Sequence, residues 1–137
     1  MKRADIRNEV WEQVKQEMRL AIIERAKKRG QIAYSELLNE VSTLRFDLEQ
    51  PDHRSIMAEM LGEISLVEDK AGHGMLSALV VHKTGDMEPG QGFFHYAEVL
   101  GRDTSNKLAC WVKETHIVHD YWANKKVTGT SRKLKNV

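Results

Sequence analysis

The sequence predicts an α+β fold that is mostly helical. Apolar residues recur at three- and four-residue steps through most of the chain, the mark of amphipathic helices. Only one run, Leu76 to His82, is nearly uncharged and β-branched at its end, as a buried strand would be. At 137 residues the chain is long enough to bury a core without disulfides or metal.

The first helix runs from Ala4 to Arg29. Ile6, Val10, Val14, Met18, Ala21, Ile22 and Ala26 form its stripe, which Trp11 widens. "RAKKRG" puts cations where the helix dipole favours them, and Gly30 is the expected stop. Such a helix spans roughly 37 Å, long enough to meet a second copy. Ile32 to Tyr34 suits a single extended bridge. Ser35 is the expected N-cap of helix 2, whose buried face is Leu37, Leu38 and Val41. Pro51 ends any helix before it. Asp52 or Ser55 opens helix 3, with Ile56, Met57, Met60, Leu61, Ile64 and Val67 inward. Gly62 weakens it by about 1 kcal/mol relative to alanine.

Gly72 and Gly74 make a turn around His73. Leu76 to His82 follows as a strand buried on both faces, then the polar loop "KTGDMEPGQG". Phe93, Phe94, Ala97 and Leu100 have helical spacing, with Gly101 as the stop, so a helix is expected, the alternative being a returning strand over Phe93 to Tyr96. The last helix carries Leu108, Trp111, Val112, Thr115, Val118, Tyr121 and Trp122 as its inward stripe. Residues 1–124 read as a single globular domain and 125–137 as a basic disordered tail.

The net charge of +1 conceals segregation. Residues 1–29 hold nine Lys/Arg and five Asp/Glu, residues 30–124 seven and fifteen, residues 125–137 five and none. An acidic body therefore lies between two basic ends. No apolar run approaches the roughly 20 residues of a membrane span. Cys110 is alone, which fits a reducing compartment, and the expected location is cytoplasmic.

The order helix, bridge, helix, helix, strand, loop is that of a winged helix. The fold class expected in full is a winged-helix-like core of three helices and a short sheet with an additional C-terminal helix. "GQIAYSEL" resembles the turn into the second helix of many winged-helix domains, including the DNA-binding part of alkylguanine alkyltransferases. That family carries a Pro-Cys-His-Arg motif before its wing. Here "MLSALVVH" stands in the comparable place without a cysteine, so the resemblance implies a fold and not alkyl transfer. "LSALVVHK…PGQGFF" is also similar to a phrase in small uncharacterised bacterial proteins, which implies no function.

"EPGQGFF" is the sharpest candidate for chemistry. Two glycines at a helix start can turn backbone N–H groups toward a phosphate or carboxylate. The plainer reading is a wing tip, since a P-loop's Lys-Ser/Thr is missing. The ligand-binding candidates are His82, Gly90, Gly92, Phe93 and His95, with His82 or His95 as acid–base groups. His116 and His119, three apart, could share a face with His95 or Asp120 as a metal set, but no His-Glu-x-x-His pattern supports it and no metal or other cofactor is expected. Cys110 reads as a core residue and Ser77 as a strand serine. Glu59, Glu63, Glu68 and Asp69 read as a solvated face of helix 3. Trp11, Trp111, Trp122, Phe93 and Phe94 read as core rather than as stacking platforms for bases.

No catalytic set emerges, so the leading expectation is a non-enzymatic binding module acting on a protein partner or as a homodimer. One alternative is weak, salt-dependent nucleic-acid binding through Lys27, Lys28, Arg29, Lys125, Lys126, Arg132, Lys133 and Lys135. Helix 3 is too acidic to enter a DNA groove on this reading. The other alternative is a small-ligand or enzyme site at the "PGQGF" loop.

Overall fold

A computed structural model describes residues 1–83 and 88–135, with 124–135 described as helix backbone only. The elements are α1 (Asn8–Lys27), β1 (Ile32–Ala33), α2 (Tyr34–Asn39), α3 (Pro51–Lys70), β2 (Val80–Val81), α4 (Gln91–Val99) and α5 (Lys107–Lys135). Short 3-10 turns occupy Arg3–Asp5 and Leu76–Leu79. The fold is mostly helical with one small sheet, as expected. β1 and β2 pair in parallel, Ile32 opposite Val80 and Ala33 opposite Val81. Over the segment expected as a disordered tail, 125–137, the helix backbone of α5 continues to Lys135, and the side chains there and residues 136–137 lie outside the described residues. No helix among the described residues is long and apolar enough to cross a membrane.

α1, α3 and α4 end alike. After α1, Gly30 N–H donates to Arg25 O and Arg29 N–H to Ala26 O. After α3, His73 N–H donates to Glu68 O and Gly72 N–H to Asp69 O. After α4, Arg102 N–H donates to Ala97 O and Gly101 N–H to Glu98 O. This is the Schellman arrangement, in which the residue just past the cap is left-handed. Gly72 (φ 85°) and Gly101 (φ 86°) suit that position. In α1 the left-handed residue is Arg29 (φ 56°), one before the expected Gly30. Its side chain pairs with Asp120 of α5 at 3.0 Å.

The residue after each left-handed position then grips α5. Gly30 O lies 2.9 Å from His119 Nε2. The His73 ring stacks on Tyr121 at 4.0 Å. Arg102 donates from Nε and Nη2 to Glu114, each at 3.0 Å. Glu114 is buried and also accepts the Met75 N–H at 2.8 Å. α5 is therefore tied down by three helix ends at once.

Several expectations need correction. α1 begins at Asn8, and α2 is capped at Ala33, with Ser35 exposed in its first turn. Leu76 to Val81 is buried throughout, but only its last two residues form a strand. β1 supplies only two partner residues, so the preceding backbone cannot join a ladder and curls into a 3-10 turn. There Ser77 is tied to Ser65, hydroxyl to hydroxyl at 2.7 Å and N–H to Oγ at 3.0 Å. Leu76 and Leu79 pack into the main core with α1, α2 and α3, while Met75 and Ala78 pack with Phe93, Ala97 and Cys110. Val67 of α3 faces outward, and so do Leu108 and Val112, because Cys110, Glu114, Val118 and Trp122 take the inner side of α5.

The acids of α3 are not a solvated face. Glu63 accepts from Trp11 Nε1 (2.8 Å) and Lys15 Nζ (2.9 Å). Buried Glu68 pairs with Arg19 (2.7 Å) and faces His73 Nδ1 (2.8 Å). Asp69 pairs with Arg102. Of the four, only Glu59 is exposed. Ion pairing with α1 and with the segment after α4 accounts for their number.

Candidate functional site

α3 packs on α4 and α2 packs on β1, which leaves a concavity where the starts of α2, α3 and α4 converge. Its volume is about 370 Å³. The floor is apolar: Met57, Ala58 and Leu48. The polar residues are Tyr34, Arg54, His82 and Gln91, and Gly90 and Gly92 complete the wall.

Each wall has a local cause. α2 starts at Tyr34 because the Ala33 N–H is accepted by Glu36 Oε1 at 2.9 Å, half of a capping box. The Tyr34 ring lies on the His82 ring, centroids 4.9 Å apart and tilted by 34°. Burial raises the Tyr34 phenol pKa, against a hydrogen bond from the Gly90 N–H. His82 follows β2, and its N–H donates to Glu88 O at 2.9 Å, closing the loop before the glycines. Gly90 is the N-cap of α4, with φ −72° and ψ 170°, a conformation open to any residue. A Cβ there would sit 2.8 Å from Tyr34 Oη and 3.6 Å from His82 Nε2. Space, not backbone angle, requires this glycine.

The opposite wall is the segment between α2 and α3, which side chains tie down. Arg54 Nη1 donates to Leu48 O at 2.6 Å, and His53 Nδ1 accepts the Asp47 N–H at 2.8 Å. Farther back, Glu17 of α1 accepts the N–H and hydroxyl groups of Ser42 and Thr43. Burial works against its ionisation. The hydrogen bonds from Thr43, Gln13 and Ser42 outweigh that and hold the carboxyl at about 2.

The expected ligand residues separate into three groups. His82, Gly90 and Gly92 line the cavity. Phe93 is buried behind it and, with Gly92 and Tyr34, borders a narrow cleft of about 30 Å³. His95 is exposed beside Tyr96 and does not line the cavity. Sequence reading missed Tyr34 and Arg54. They lie far from "PGQGF" in the chain, and no spacing rule connects them to it.

Other candidates fall elsewhere. His119 is buried against Gly30 O while His116 is exposed, so the two do not share a surface. Among the described residues no group of three or more His, Cys, Asp or Glu side chains could hold a metal. Burial raises the Cys110 thiol pKa, with Glu114 adding to it, so the thiol is a poor nucleophile. Trp11, Trp122 and Phe93 are buried, and Trp111 and Phe94 partly so. Lys27 pairs with Glu24 at 3.4 Å, Lys28 is exposed and Arg29 pairs with Asp120. Lys125, Lys126, Arg132, Lys133 and Lys135 have side chains outside the described residues. A second depression, beside Arg102 and Cys110, is larger at about 530 Å³. Its inner ionic groups, Arg102 and Glu114, are bound to each other, and its other charges, Asp103 and Lys113, are exposed and of opposite sign, so the smaller cavity is the better candidate.

Compared with protein-family models, curated proteins and solved structures, the chain matches none of them.

Proposed function

We propose that this chain is a non-enzymatic binding module whose recognition site is the cavity beneath the start of α4. The observation that carries this reading is the convergence of Tyr34, His82, Arg54 and side-chain-free Gly90 and Gly92 on an apolar floor. Small-molecule sites have this character: a mostly apolar concavity of roughly 300–1,000 Å³ with a few placed polar groups. Among the described residues no serine, threonine, cysteine, lysine or carboxylate lines the cavity, and burial further favours the neutral, hydrogen-bonding form of the Tyr34 phenol, which supports binding rather than catalysis. The cavity therefore moves ahead of the protein-partner reading favoured by the sequence alone.

A winged-helix-like frame goes with this proposal. The order α1, β1, α2, α3, β2 supports it, as does the closure of the following loop by the His82 N–H on Glu88 O. On this frame the cavity lies at the base of the wing.

Self-association is the second reading. Leu108 (61% exposed) and Val112 (42%) lie one turn apart on the outer side of α5. An apolar pair of that kind suits contact with another chain. Sedimentation velocity would separate the two readings. Wild-type protein that dimerises, with a Leu108→Glu variant that does not, supports self-association.

The cavity reading is tested by melting the protein with a fragment collection. A ligand of the native state raises the melting temperature. Stabilising fragments should lose their effect in a Gly90→Ala variant, whose methyl group enters the cavity beside Tyr34. Equal stabilisation of both proteins would place the fragments elsewhere and defeat the reading.

A further inference from the structure

Resting on the cavity reading, we infer that the ligand class is a flat apolar molecule carrying one anionic group. The argument is electrostatic and steric. Residues 30–124, the region that builds the cavity, hold seven Lys/Arg against fifteen Asp/Glu. Yet the cavity is lined by one arginine, one histidine and no carboxylate among the described residues. Among the described residues no acid of this acidic body lines the concavity, so an anion meets no like charge from them there.

Arg54 is held at the rim rather than left loose. Its Nη1 is committed to Leu48 O at 2.6 Å, which orients the guanidinium plane. A guanidinium carries five N–H donors in a planar fork, so others remain for a carboxylate or phosphate. The tilted Tyr34–His82 pair offers aromatic surface to a flat group, and Met57, Leu48 and Ala58 supply apolar floor. The walls at Gly90 and Gly92 have no side chains, so a ring can approach the backbone. A Cβ at Gly92 would already touch Ala58 at 3.4 Å.

Calorimetric titration with 2-naphthoate, 2-naphthyl phosphate, 2-naphthalenemethanol and 2-naphthylmethylammonium tests the inference, with backbone amide spectra reporting the place of binding. Either anion should bind roughly tenfold or more tighter than the alcohol, and the ammonium most weakly. The two anions then distinguish a carboxylate from a phosphate ligand. Arg54→Gln should remove most of the anion's advantage over the alcohol. Arg54→Lys should retain part of it. Amide spectra of both variants that match wild type away from Arg54 establish that they are folded. If all four probes shift the Gly90 and Gly92 amides with equal affinity, or the ammonium binds best, the ligand class is wrong and the cavity reading stands. If no probe shifts those amides, the cavity reading fails and takes this inference with it.

Discussion

Gly62 shows what a single residue can conceal. In sequence it is a weak point in α3, worth about 1 kcal/mol of lost helix propensity. In the fold, a Cβ at that position would lie 2.1 Å from Tyr96 Cε2. The glycine lets the Tyr96 ring cross α3 and brings α4 close. Gly62→Ala should therefore destabilise the protein by about 1 kcal/mol, since overpacking costs more than propensity returns. In a Tyr96→Ala background the same change should become stabilising. Urea melts of the four proteins check this, and an alanine that stabilises both backgrounds would contradict it. Gly90 follows the same logic with Tyr34 Oη at 2.8 Å, so Tyr34→Phe should relieve much of the cost of Gly90→Ala. Neither tyrosine could be assigned in advance. Helical spacing reports which face is apolar, not which ring from another element will lie across a glycine.

Among elements, the helices were legible and their junctions were not. Three- and four-residue periodicity marked α1, α3, α4 and α5, because burial of one face imposes it. The common ending of α1, α3 and α4 left only a partial signal: glycine stands at the left-handed position twice and arginine once. The outward stripe of Leu108 and Val112 misled because Glu114, a charged residue, takes the inner position. It does so because Arg102 and the Met75 N–H satisfy its oxygens. Glu114→Ala should cost about 3 kcal/mol, since removing one partner of a buried pair strands the other. Glu114→Gln, which keeps an acceptor for Met75, should cost less. Chemical denaturation of both variants checks the order. Glu17 gives the element-scale pH dependence. Its folded pKa of about 2 lies below the ordinary 4.5, so its contribution is present above 4.5 and is lost as pH falls toward 2. Protection from hydrogen exchange at Ser42 and Thr43, measured against the intrinsic rate at each pH, should fall over that window, and Glu17→Gln should remove the acid-dependent component.

For the molecule as a whole, charge was legible in amount and misleading in place. The sequence reading treated α3 as an anionic surface that would repel DNA. Instead Glu63, Glu68 and Asp69 turn toward Lys15, Arg19 and Arg102, and α3 is covered by α1, α4 and the Leu76–Leu79 turn. The residues α3 leaves exposed include Asp52, Arg54, Ser55, Glu59, Val67 and Lys70, which mix both signs of charge and form no basic face of the kind that draws in phosphates. The same packing brings the beginnings of α2, α3 and α4 together and opens the cavity between them. Tyr34, Arg54 and His82 are distant in the chain, so only the assembled fold could reveal their meeting. The most direct test of the central claim is a backbone amide map of the protein titrated with 2-naphthoate. The expected result is saturable shifts at Met57, His82, Gly90 and Gly92 in wild type, abolished in Gly90→Ala. Saturable shifts confined to the outer side of α5, with none at Met57, His82, Gly90 or Gly92, would contradict the assignment of this cavity as the binding site.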